Sequence, residues 1–283
     1  MKKVGIVCCS NAQRPETAAQ NRELAAVLRG MGFETVFSGC LYARDGVRSG
    51  TARQRADALM DFYRDGSVDM ICDLSGGDIA NEILDSLDYG AISRHPKPLW
   101  GYSDLTAVLN AVWTCSGVGS VLFQIKNLVS ACGDVQQARF AETVAEGKET
   151  LFAFPYRFLQ GEQMQGIVLG GNVRCLLKLA GTKYFPDLTG KILLMEAYGG
   201  ETARLIAYFS QLKQLGAFEK AAGVVLGTFT QMSKNPSNPP VFEVLRAFID
   251  PRLPVAQTEE IGHGADARAV RIGGWMRLER KPL

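Results

Sequence analysis

The chain has 283 residues, 47% hydrophobic and 21% charged, an ordinary globular composition with room for one large or two modest cores. Its 31 basic and 29 acidic residues leave a net charge of +2 with no basic run, which argues against nucleic acid as a partner, because phosphate contacts need concentrated Lys and Arg. No apolar run approaches the roughly 20 residues of a membrane helix. Two histidines and seven scattered cysteines without a Cys-x-x-Cys pair predict neither a zinc site nor a disulfide framework, but reduced thiols in a cytoplasmic protein.

Residues 4–9 are the first predicted strand. The polar Ser10-Asn11 that follows makes this run too short for a signal peptide. Residues 17–31 carry Leu24, Val27 and Leu28 at helical spacing, and 34–37 form a second strand candidate. The stretch 51–65 reads as a helix with Ala56, Leu59, Met60 and Tyr63 on one side. The third strand, 69–74, is closed by Ser75-Gly76-Gly77-Asp78. The fourth, 98–102, is closed by Ser103-Asp104, and a helix over 105–113 follows at once. Such alternation predicts a parallel sheet with helices on both faces. Ligands of these sheets bind beyond the carboxyl ends of the strands, where Ser10, Gly76-Gly77 and Ser103 fall.

Residues 126–162 are less regular and read as a connecting segment and candidate lid between a nucleophile domain (1–125) and a C-terminal domain (163–283). Phe152, Phe154, Tyr156 and Phe158 alternate there, which would set four rings on one face of an extended segment. The second unit shows strands at 167–169, 192–195, 223–226 and 255–261, helices at 202–215 and 242–249, and one or two closing strands in 269–278.

Three residues stand out chemically. At Ser103 an apolar strand stops, a serine follows, and a helix begins, which lifts the hydroxyl clear of the sheet beside unpaired helix amides. Leu105 stands where the usual hydrolase elbow has a second Gly, and Ser103 could equally cap the helix. A serine nucleophile needs a base. His95 lies in a polar stretch that suggests the surface, whereas His263 sits between Gly262 and Gly264, which allow close backbone approach. Read without such a partner, His263 is a solvated loop histidine. Glu196 ends the buried run 191–195 and could orient His263, with Glu201 as competitor and a solvated strand-end carboxylate as the plain alternative. The amides of Asp104 and of Gly76 or Gly77 are candidate oxyanion donors. Ser10-Asn11, with the Gly76-Gly77-Asp78 turn, could hold a substrate carboxylate.

Taken together, the motifs resemble the LD-carboxypeptidase family of serine peptidases, which includes the microcin C self-immunity proteins. The motifs are Ser75-Gly76-Gly77-Asp78, Gly101-Tyr102-Ser103-Asp104, Gly170-Gly171-Asn172, Leu194-Met195-Glu196, Gly223-Val224-Val225-Leu226-Gly227 and Gly262-His263-Gly264. The resemblance implies a Ser103-Glu196-His263 triad without metal or cofactor. It also implies an α/β fold, with an N-terminal flavodoxin-like parallel sheet domain and a smaller C-terminal α/β domain, and a homodimer. The implied activity is removal of a small C-terminal residue from cell-wall muropeptides. The alternative within the family is cleavage of a peptidyl- or aminoacyl-nucleotide amide, toward which Ser75-Gly76-Gly77-Asp78 leans. Ala197 stands where an Asp usually follows the glutamate, and the Tyr-x-Ile-Asp-Arg pattern is reduced to Arg204. No Trp lies between Trp113 and Trp275 to stack on a base, so the aromatic run 152–158 is the candidate shelf. Two readings lie outside the family: a non-catalytic binding protein, and an ordinary α/β-hydrolase esterase with all three residues on one continuous sheet.

Overall fold

The computed structural model describes residues 1–280. Twelve strands form two six-stranded sheets among these residues. The N-terminal part supplies β1 (Lys2–Val7), β2 (Phe33–Phe37), β3 (Met70–Asp73), β4 (Leu99–Gly101) and β5 (Ser120–Leu122). They pair in parallel in the order β2-β1-β3-β4-β5, the flavodoxin-like doubly wound order. Helices cover both faces, so the central strands read as unbroken apolar runs, and all four residues of β3 are buried. The covering helices include α1 (Ala18–Gly30), α2 (Ala52–Arg64), α3 (Tyr89–Arg94) and α4 (Thr106–Ser116). A capping box starts α2, with Thr51 and Gln54 exchanging side-chain and backbone bonds, and Ala56, Leu59, Met60 and Tyr63 form its buried face.

Residues 126–162 hold a helix that their polar composition conceals, α5 (Gly133–Glu146), and the strand β6 (Arg157–Gln160). Only Gln136 and Phe140 of α5 are buried. The Phe140 ring packs 6.0 Å from Phe33 and 5.5 Å from Trp100, so this helix is fastened to the first sheet. The aromatic run is not one extended face. Phe152 turns to Trp100 under the Arg271 guanidinium, 3.6 Å from its ring, while Phe154, Tyr156 and Phe158 lean on the larger core.

The second sheet contains β6, β7 (Gln163–Asn172), β8 (Ile192–Ala197), β9 (Gly223–Phe229) and β10 (Val255–Gln257). Strands β7, β8, β9 and β10 run parallel, and β6 joins β10 antiparallel. Two short strands close the chain, β11 (Val270–Ile272) and β12 (Trp275–Glu279). The second pairs with β7, as expected for the C-terminal unit. The first crosses back and pairs antiparallel with β5 in the first sheet. The chain thus returns to its first sheet just before its end.

Helix α4 joins the two sheets. Its residues Thr106 to Val112 are all buried, and it packs on β7 within one hydrophobic cluster drawn from both halves. Asn110 makes two bonds of 2.9 Å with the Gly170 backbone, closing the seam with satisfied polar groups. No helix among the described residues is long and apolar enough to cross a membrane.

All seven cysteines are free; Cys8, Cys9, Cys40, Cys72 and Cys175 are buried, while Cys115 and Cys132 are partly exposed. Burial pushes the Cys8, Cys9, Cys72 and Cys175 thiols well up, and raises Cys115 as well. An aromatic disulfide reagent at neutral pH is therefore expected to titrate Cys132 and then Cys115 promptly, and the other five only on unfolding. Prompt reaction of all seven thiols in the native protein would contradict the described core.

Candidate active site

Three elements from different parts of the chain meet at the carboxyl ends of both sheets. Ser103 follows β4 and opens a single 3₁₀ turn, Ser103–Leu105, that runs straight into α4. Among the described residues it is the one non-glycine at positive φ, 55°. That conformation costs roughly 1–2 kcal/mol, and the turn imposes it.

Glu196 lies in β8 beside Asn172 of β7 and has no exposed surface. A bare carboxylate there would be expensive, but three donors converge on it. Asn172 Nδ2 reaches Oε1 at 3.0 Å, the Tyr102 hydroxyl reaches Oε2 at 3.1 Å, and His263 Nδ1 reaches Oε2 at 2.7 Å. Burial, and then the charge of Glu196, push the Tyr102 hydroxyl well up, so it stays protonated and donates.

His263 follows Gly262 in the loop after β10. A Cβ on Gly262 would fall 1.7 Å from Thr228 Oγ1, so only glycine lets this loop press onto β9. With Nδ1 donating to Glu196, Nε2 is left as acceptor and lies 3.2 Å from Ser103 Oγ. The imidazole sits between two rings, Tyr102 at 4.9 Å and Tyr198 at 5.1 Å. The carbonyls just beyond it are clamped. Gln136 Nε2 holds those of Ala265 and Ala267, Arg139 that of Asp266, and Asn127 that of Gly264.

The structure sorts the remaining expected residues. Ser10 is fully buried and cannot meet a substrate carboxylate; its hydroxyl donates to Asp104 at 2.6 Å. The Asp104 carboxylate, also fully buried, takes in addition the Ala80 amide at 2.8 Å and the Lys178 ammonium. Asn11 Oδ1 accepts the Asp78 backbone amide at 3.0 Å, and the Asn11 backbone amide donates to Gly76 O, so Asn11 shapes the Gly76-Gly77-Asp78 turn. Gly77 and Asp78 face the cleft with Ser103. Among the described residues neither the Gly77 nor the Asp104 amide donates a hydrogen bond. His95 and Glu201 stand apart, exposed at the ends of α3 and α7 (Thr202–Gln214). The esterase reading is overturned, because Ser103 leaves the first sheet whereas Glu196 and His263 belong to the second.

The cleft above Ser103 and His263 has a volume of about 400 Å³ and is walled by Asn172, Arg174, Tyr198 and Arg204 as well. Arg174, on the short helix α6 (Val173–Leu177), pairs with Asp78 and donates to Gly77 O at 2.9 Å. The Arg174–Asp78 bond holds the Asp78 carboxyl below its ordinary range. Lys178 reaches Asp78 O at 2.7 Å, so the second unit grips the glycine turn of the first. The helix is short, so Arg174 and Lys178 gave no periodic signal in the sequence. Tyr198 and Arg204 fall after the strand run ends.

Comparison with known proteins finds matches over most of the chain. The LD-carboxypeptidase N-terminal domain matches residues 4–122 and the LD-carboxypeptidase C-terminal domain matches residues 165–278. The microcin C7 self-immunity protein of Escherichia coli is 25% identical over 90% of this chain and 84% of its own length. The murein tetrapeptide carboxypeptidase of Pseudomonas aeruginosa is 27% identical over 95% and 92%. The crystal structure of a muramoyltetrapeptide carboxypeptidase from Oxalobacter formigenes superposes with a TM-score of 0.82, covering 99% of this chain and 96% of that one at 22% identity, a likeness of fold.

Proposed function

Since the chain belongs to the LD-carboxypeptidase family of serine peptidases, we propose that Ser103, His263 and Glu196 form its catalytic triad and that it releases a small C-terminal residue from cell-wall peptides. The observation that carries this is the unbroken line from Ser103 Oγ to His263 Nε2 at 3.2 Å and from His263 Nδ1 to Glu196 at 2.7 Å.

The chemistry follows from these positions. Ser103 Oγ attacks the amide carbonyl carbon while His263 Nε2 takes its proton, and Glu196 stabilises the imidazolium that forms. The Asp104 and Gly77 amides receive the developing oxyanion. Collapse breaks the C–N bond, and His263 returns the proton to the leaving amine. Water, deprotonated by His263, then cleaves the acyl-serine and restores the enzyme. Asp104 and Lys178 act behind the site by fixing the turn that presents these amides. The reading carries with it a cytoplasmic location and a homodimer.

The cleft presents one exposed ring, Tyr198, rather than an aromatic shelf, which favours a peptide over a nucleotide conjugate. The test is incubation with an L,D-linked muropeptide tetrapeptide beside an aminoacyl sulfamoyl adenosine, with products weighed by mass spectrometry. Loss of the terminal residue from the tetrapeptide is expected. Cleavage of the nucleotide conjugate alone would replace the substrate assignment. A fluorophosphonate that leaves Ser103 unlabelled would return the protein to the non-catalytic binding class.

A further inference from the structure

Building on the proposed peptidase reading, we infer that Arg204 is the anchor for the free α-carboxylate of the residue being released. Arg174 is committed to Asp78 and Gly77 O, Lys178 to Asp104 and Asp78 O, and His263 to Glu196. Arg204 lines the same cleft as Ser103 and His263, and among the described residues its guanidinium has neither an ion pair nor a hydrogen bond. It is the cleft's uncommitted cation.

Its direction is built in. Arg204 occupies the first turn of α7, and helical side chains lean toward the N-terminus, here toward the end of β8 and Tyr198. Gly200 lies beneath it at φ +109°, and a Cβ there would come 3.0 Å from Arg204 Cδ. The bare glycine turn lets the stem fold back over it. The placement does not serve the helix, whose dipole disfavours a cation in the first turn. Arg174 and Arg204 both line this cleft, and Arg174 is the one already paired.

The chemistry of the leaving group matches. When the scissile amide joins the last residue of a peptide, the leaving nitrogen and the terminal carboxylate share one α-carbon. A carboxylate fixed by a guanidinium fork therefore sets the distance to the carbonyl that Ser103 attacks. Such a site accepts peptides ending in a free acid and discriminates against the same peptides ending in an amide. It also makes the enzyme an exopeptidase, because an internal bond offers no carboxylate at that position.

The test compares an L,D-linked tetrapeptide acid with its C-terminal carboxamide, using wild type, Arg204→Gln and Arg204→Lys. The wild type should prefer the acid, and Arg204→Gln should lower the acid-to-amide ratio of kcat/KM by about 100-fold, mainly through KM. Arg204→Lys should keep part of the preference, since a point charge replaces a fork. An unchanged ratio in Arg204→Gln overturns the inference, and so does an equal loss on both peptides, which would mark a structural role. If Arg204→Gln loses cleavage of an aminoacyl sulfamoyl adenosine but keeps the acid preference, the cation serves a sulfamate and the carboxylate assignment is overturned. Fluorophosphonate labelling of wild-type Ser103 separates the two levels. A labelled serine with an unchanged ratio sinks only the anchor, and an unlabelled one sinks the peptidase reading itself.

Discussion

Ser103→Ala is expected to lower amide hydrolysis by roughly 10⁴- to 10⁶-fold while the protein melts within a few degrees of wild type. In the proposed triad this hydroxyl is the nucleophile, 3.2 Å from His263 Nε2, and among the described residues it supports no other part of the fold through a hydrogen bond. Alanine keeps the φ of 55° and therefore keeps the strain. Ser103→Gly removes the Cβ that causes it and should raise stability by about 1 kcal/mol, with the same loss of turnover. Steady-state kinetics and a thermal melt on the two variants check both halves. A Ser103→Ala protein that retained full activity on any wild-type substrate would end the assignment.

Glu196→Gln should cost roughly 10³- to 10⁴-fold in kcat with little change in KM. Three donors converge on the carboxylate, from Asn172, Tyr102 and His263. An amide offers one accepting oxygen, so its NH₂ group must face a donor or turn to His263. If it donates to Nδ1, the imidazole proton moves to Nε2, which can then no longer accept from Ser103. Glu196→Ala should lose activity as well, and also stability, because the buried Tyr102 hydroxyl and Asn172 amide lose their acceptor at about 1–3 kcal/mol each. Wild-type kcat in Glu196→Gln would show that His263 is oriented by something else.

The parts of the fold legible in the sequence are those written locally. Strand β3 and strand β8 are short runs buried on both faces, and the apolar spacing of α2 reports its buried side directly. Ser103 and His263 advertised themselves through their neighbours, a strand-to-helix junction and a pair of glycines. Glu196 did so only weakly, because its three donors lie 24, 67 and 94 residues away along the chain. Helix α5 was hidden for a different reason, since only two of its residues are buried and one of them is Gln136. The pairing of β11 with β5 could not be read at all, because a three-residue strand does not specify which sheet edge it joins. Ser10 shows the opposite failure. Its position at a strand end suggested substrate contact, yet its partner is the carboxylate of Asp104, far along the sequence.

The clamp on the loop beyond His263 bears on the time course of catalysis. Side chains from residues 127–139 hold four successive carbonyls, those of Gly264, Ala265, Asp266 and Ala267. The freedom of that segment was surrendered when the chain folded, so a substrate meets an imidazole whose alignment owes nothing to its arrival. In the proposed mechanism His263 Nε2 already stands 3.2 Å from Ser103 Oγ, so base and nucleophile meet without the loop closure that gates many hydrolases.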